Sequence, residues 1–108
     1  MADTVQVYEV KSVKLTIEKK LPPTLLIHAD GVTRTAGYKD PRLEPYVYIQ
    51  PPPDGIYDFS FVADKPSGPV ADVLTPVEAD YKWDNYPKDL KGVRVHAETN
   101  EIEEKLGY

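Results

Sequence analysis

Apolar and polar residues alternate with a period of two along much of this chain, the mark of strands that bury one face. "TVQVYEVKSVKLTIEKK" puts Val13, Leu15 and Ile17 on one side and Lys14, Thr16 and Glu18 on the other. Val5 and Val7 share that odd phase, whereas Tyr8 and Val10 break it. The break near Glu9–Ser12 predicts a bulge, or a strand that leaves one sheet for another, as a two-sheet sandwich requires. After Pro22–Pro23, "TLLIHADGVTRT" carries Asp30–Gly31. Both central positions of a type I′ turn need positive φ, so this dipeptide is a hairpin signal. On that reading Ala29 faces Val32 and His28 faces Thr33; the alternative is one long strand with a glycine bulge.

"VYIQ" and "IYDFSFVA", either side of three consecutive prolines, predict a second hairpin. Pairing Gln50 with Ile56 turns Val47, Ile49, Tyr57, Phe59 and Phe61 to the core. Tyr46, Tyr48 and Gln50 then share the other face with Asp58 and Ser60, and a one-residue slip would exchange the faces. "VADVLTPVEADYKW" places Val73, Val77, Ala79, Tyr81 and Trp83 on one side, and "VRVHAET" turns Val93, Val95 and Ala97 inward. In the tail "NEIEEKLGY", Asn100 and Glu103 have capping-box spacing and Ile102 stands four residues before Leu106. That spacing predicts a short C-terminal helical turn.

About seven strands, with turn signals roughly every 8–12 residues, place the chain in the all-β class as an antiparallel β-sandwich, a small β-barrel being the alternative. In strand count it resembles the immunoglobulin fold, although the Cys…Trp…Cys core pattern is absent. Residues 1–108 read as one domain, near the commonest domain size. Eleven prolines leave few windows for a long helix, which argues against bundles and against βα alternation.

Charge and composition then narrow the function classes. The formal net charge of −5, from 13 basic and 18 acidic residues, has the wrong sign for counterion-driven nucleic-acid binding. Lys11, Lys14, Lys19 and Lys20 form no continuous basic patch, because Glu18 interrupts them. With no cysteine, disulfide scaffolds, thiolate zinc sites and thiol nucleophiles drop out. No signal-peptide pattern and no apolar run of membrane length is visible, so a cytoplasmic location is expected, with no membrane and no nucleic-acid partner.

Candidate chemistry is sparse. His28 and His96 lie mid-strand, and a functional reading pairs one of them with a carboxylate such as Asp30 or Glu98. The serines at 12, 60 and 67 lack any nucleophile motif. Asp80, Asp84 and Asp89, or Asp54, Asp58 and Asp64, invite a calcium reading, but neither set has EF-hand spacing. Thr33–Arg34–Thr35 presents a guanidinium between two hydroxyls, a common strand-surface pattern. No metal site and no cofactor is therefore expected. The eight tyrosines and one tryptophan, against two phenylalanines, are more informative. Such side chains join an apolar body to a polar handle and are enriched at interfaces. Tyr46, Tyr48, Gln50 and Trp83 are the candidate ligand- or partner-binding residues.

The expected function is a non-catalytic binding or interaction module. A protein partner or self-association is favoured over a small ligand. The alternatives are a carbohydrate- or small-ligand-binding domain using a tyrosine platform, and a small enzyme using a histidine–carboxylate pair. "PPP" at 51–53 is expected to stiffen the hairpin turn and protect the strand edge rather than serve as a ligand.

Overall fold

A computed structural model describes residues 3–106 of the chain. Eight strands follow one another: β1 (Thr4–Gln6), β2 (Glu9–Glu18), β3 (Thr24–Thr33), β4 (Lys39–Pro45), β5 (Ile56–Asp64), β6 (Thr75–Asp84), β7 (Gly92–His96) and β8 (Glu101–Lys105). They form two packed sheets, a β-sandwich rather than a closed barrel. In the three-stranded sheet β3 lies between β2 and β6. In the five-stranded sheet β5 is central, with β4 along one edge. Its other edge carries β7 beside Ile56–Ser60 and β1 beside Val62–Asp64, and β8 flanks β7. All pairings are antiparallel except β5 with β7. No helix occurs among the described residues, and so none that is long and apolar enough to cross a membrane.

The phase break near residue 9 marks both of the predicted devices. The chain passes from the five-stranded sheet to the three-stranded one between β1 and β2, through Val7 and Tyr8. Val7 donates to Phe61 on one sheet and Tyr8 to Val32 on the other. Two residues later Val10 opposes Gly31 and Ser12 opposes Asp30, which leaves Lys11 as the extra residue of a bulge.

Asp30–Gly31 is not a hairpin. Both residues lie within β3, paired on one side with Ser12 and Val10 and on the other with Glu78 and Val77. A turn here would break two ladders at once. The glycine answers a different need: a Cβ at residue 31 would lie 2.5 Å from the Glu9 carbonyl oxygen and 3.0 Å from the Phe61 ring.

The tail is likewise a strand and not a helical turn. Ala97 donates to the Asn100 carbonyl, closing a tight turn that pairs β8 with β7. The Asn100 side chain, expected to cap a helix, instead accepts from Val10 N at 2.9 Å and donates to Val10 O at 2.8 Å. It thereby ties the turn to the segment where the chain changes sheets. Glu103 reaches across to Arg94 on β7. Gly107 and Tyr108, the last two residues of the predicted turn, lie outside the described residues.

Phe59 and Phe61 of β5 are fully buried between the sheets, against Leu25, Ile27 and Ala29 of β3 and beside Val93 and Val95 of β7. Ala97 is buried too, as the alternation predicts. Val77, Tyr81 and Trp83 pack half-buried against this core, but Val73 does not: it precedes β6 and is exposed. Truncating either phenylalanine to alanine would cost about 3–5 kcal/mol.

Candidate functional site

The predicted pairing of "VYIQ" with β5 fails, and the reason builds an aromatic-lined cleft. β4 pairs with β5 one segment earlier, Leu43 opposite Phe61 and Pro45 opposite Phe59. The chain then leaves the sheet. Tyr46 N still donates to Asp58 O at 3.0 Å, but the next link is made by a side chain. The Tyr48 hydroxyl folds back, accepts from Asp58 N at 2.9 Å and donates to Asp58 Oδ2 at 2.6 Å. It takes the place of a strand partner. Because the tyrosines at 46 and 48 turn toward the protein, the residues between and after them turn away. Val47 and Ile49, expected in the core, are 97% and 103% exposed. The loop returns through Pro51–Pro53 to Gly55, whose φ of 73° suits glycine and whose carbonyl accepts from Lys91 N.

Between this loop and the end of β6 lies a cleft of about 290 Å³. Tyr46, Tyr48, Gln50 and Trp83 all line it, together with Ile49, Tyr57, Phe59 and Asp58. Its aromatic walls are continuous across the two sheets. Tyr48 meets Tyr57 edge-on at 5.5 Å, Tyr57 meets Trp83 at 5.5 Å, and Trp83 meets Phe59 at 5.5 Å. Such perpendicular contacts suit the ring quadrupoles and hold the walls in place. Tyr57, assigned to the core by its alternation, is half-buried and reaches Asp89 with its hydroxyl at 3.2 Å. No local signal in the sequence distinguishes it from Phe59.

Behind the cleft the outer face of the five-stranded sheet carries a charged brace. Asp58 Oδ1 accepts from His96 Nε2 at 2.8 Å and from the Arg94 guanidinium at 3.1 Å. Arg94 also meets Glu103 at 2.8 Å and Glu101 at 3.3 Å. The Tyr46 ring stacks on His96, centroids 5.2 Å apart and planes 23° from parallel. Burial alone would raise the Asp58 carboxyl, but the bonds from His96 and Tyr48 and the charge of Arg94 outweigh it and hold its pKa below the usual value. Tyr48 is pushed up to about 12, first by burial and then by the carboxylate it bonds.

The other candidates separate. His28 lies on the outer face of the three-stranded sheet, with Asp30 at 3.3 Å as expected, but also Glu78 at 3.2 Å and Asp80 at 2.7 Å from the neighbouring strand. Its pKa is raised, chiefly by the bond to Asp80, against the opposing effect of burial. Glu98 pairs with neither histidine; it takes Arg34, whose guanidinium lies over the Tyr8 ring at 4.9 Å. Arg34 is thus already engaged rather than presented to an anion. Neither aspartate triplet converges. Asp80 holds His28, Asp84 accepts from Thr24 and Asp89 from Tyr57. In the second triplet Asp54 accepts from Ile56 N, Asp58 belongs to the brace and Asp64 accepts from Thr4 and Arg42. Ser60 lies across the ladder from His96 but is bonded by Gln6, and Ser12 donates to Asp30, so neither hydroxyl is bonded to a histidine.

Compared with known proteins, the chain matches no family model, no curated protein and no solved structure.

Proposed function

We propose that this β-sandwich is a non-catalytic binding module that engages a protein partner at the aromatic cleft, seating an apolar side chain of that partner between Tyr48 and Trp83. The observation that carries the reading is the pairing of a preformed aromatic cleft with two wholly exposed aliphatic residues on its loop, Val47 and Ile49. A cleft of about 290 Å³ is at the small end of ligand pockets and suits one anchoring side chain. Tyrosine and tryptophan walls inside an apolar rim match the make-up of interface hot spots. The strongest hydrogen-bonding groups of the cleft are spent internally, since Tyr48 and Asp58 satisfy each other. The net charge of −5 favours a partner with basic residues around the anchor.

Carbohydrate is the second reading. It is supported by the Tyr46 ring, 43% exposed and backed by His96, and by the exposed Gln50 amide on the same wall.

Selection of random displayed peptides on the immobilised chain should enrich sequences with an aliphatic or aromatic anchor beside Lys or Arg. Ile49→Asp should weaken them by about tenfold or more with the melting temperature unchanged. Peptides indifferent to Ile49→Asp, or none enriched while a glycan array gives binding that Tyr46→Ala removes, would replace the protein reading with the carbohydrate one. Light scattering of the free chain addresses self-association, which a concentration-independent monomer would exclude.

A further inference from the structure

The outer face of the three-stranded sheet, opposite the face that carries Trp83, holds a ligand set of a different chemistry. His28 and Asp30 are two residues apart on β3 and share a face, and Glu78 and Asp80 do the same on β6. The register sets Asp30 directly opposite Glu78 and His28 directly opposite Asp80. Like charges directly opposed across a ladder destabilise it unless a cation lies between them. The Lys14 ammonium, across from His28 on β2, makes no ion pair among the described residues.

The geometry points to a site for a divalent metal ion of zinc type, ligated by His28 Nε2 and one carboxylate oxygen each from Asp30 and Glu78. The three donor atoms lie within 4.8 Å of one another. Zinc bonds of about 2.0–2.2 Å in a tetrahedron put neighbouring ligand atoms about 3.4 Å apart. His28 Nε2 stands 3.3 Å from Asp30 Oδ1 and 3.2 Å from Glu78 Oε1, so both edges that meet at the imidazole already have the required length. What separates this set from an acidic patch is the imidazole at its centre and the support behind two of the three ligands. Asp80 Oδ1 holds His28 Nδ1 at 2.7 Å, which leaves the Nε2 lone pair facing the two carboxylates when the ring is neutral. Ser12 donates to Asp30 Oδ2 at 2.9 Å, turning Oδ1 toward the same point. A carboxylate behind the histidine and a hydroxyl behind the aspartate are the outer-shell partners that orient metal ligands. One nitrogen with two carboxylate oxygens suits zinc and its first-row neighbours better than calcium, which takes six to eight oxygens. The fourth position faces solvent, as Glu78 and Asp80 are exposed.

The test uses the untagged full chain, titrated with zinc chloride at about pH 7.5, where the ion competes with a proton for the His28 ring. Calorimetry reports stoichiometry, and NMR follows the two histidine rings separately. One ion should bind per chain, moving the His28 ring resonances and leaving those of His96 in place. His28→Gln and Glu78→Gln should each weaken binding about tenfold or more, and Asp80→Asn by a smaller factor. Melting of each metal-free variant checks that the sheet persists, and Asp30→Asn replaces any that does not fold. Equal movement of both histidine rings, binding unchanged in His28→Gln, or no saturation up to millimolar zinc would each overturn the site.

Discussion

The molecule has two histidines, each on a strand with its imidazole turned to the outer face of a sheet and carboxylates on both sides, and the two neighbourhoods do opposite things. Around His96 the fold supplies its own cation: Arg94 touches Asp58, Glu101 and Glu103, and Tyr46 covers the imidazole. Around His28, among the described residues, no arginine intervenes and nothing stacks on the ring, and two carboxylates face each other across the ladder. The same residue types at the same strand period thus give a closed brace in one place and an open ligand set in the other. The difference lies in one arginine and one tyrosine.

Removing the aspartate behind each histidine should expose that difference most strongly. Asp58→Ala strands the Tyr48 hydroxyl, the His96 ring and part of the Arg94 guanidinium, and should cost about 2–4 kcal/mol in urea denaturation. Asp80→Ala, on an exposed side chain, should cost no more than about 0.5 kcal/mol. Equal losses would mean that the His96 centre is no more integrated than the His28 centre.

Acid should reach the brace in a defined direction. Asp58 titrates below its ordinary value in the folded chain, so its stabilisation is present in full above the unfolded value of about 4 and is lost as pH falls through the folded one. Between about pH 5 and 2 the wild type should therefore lose stability more steeply than Asp58→Ala. Parallel curves from chemical denaturation would remove Asp58 from the account.

A smaller effect than that of Asp58→Ala is also more local. Tyr48→Phe keeps the ring against Tyr57 but loses both bonds to Asp58, and should cost about 1 kcal/mol while loosening the cleft wall. Amide exchange at Asp58 N reads this out, since the Tyr48 hydroxyl is its acceptor. Unchanged protection there would show that another acceptor serves the strand.

What the sequence makes legible follows from the range of the interactions involved. β6 and the part of β2 beyond Lys11 alternate cleanly, so their faces can be read directly, as can the fault near Lys11. Gly31 misleads because its reason is a carbonyl on another strand rather than a turn of its own. Asn100 and Glu103 mislead in the same way: their helical spacing is local, while their partners Val10 and Arg94 are brought up by the sheets. At the cleft, composition singles out Tyr46, Tyr48, Gln50 and Trp83, and the fold gathers all four around one opening. The departure from the sheet that exposes Val47 and Ile49 is invisible beforehand, because it turns on a side-chain hydroxyl standing in for a main-chain partner. Glu78 and Asp80 join His28 only through the β3–β6 register.

The tie between Asn100 and Val10 spans 90 residues of sequence, and its consequence belongs to synthesis rather than to the finished fold. During translation β2 and β3 can pair early and Tyr8 can bond Val32, but the bonds from Val10 to the Asn100 side chain must wait until Asn100 has left the ribosome. A chain dominated by such distant pairings folds slowly and exposes strand edges while it waits. That clasp can therefore close only once β1 to β7 have all been made.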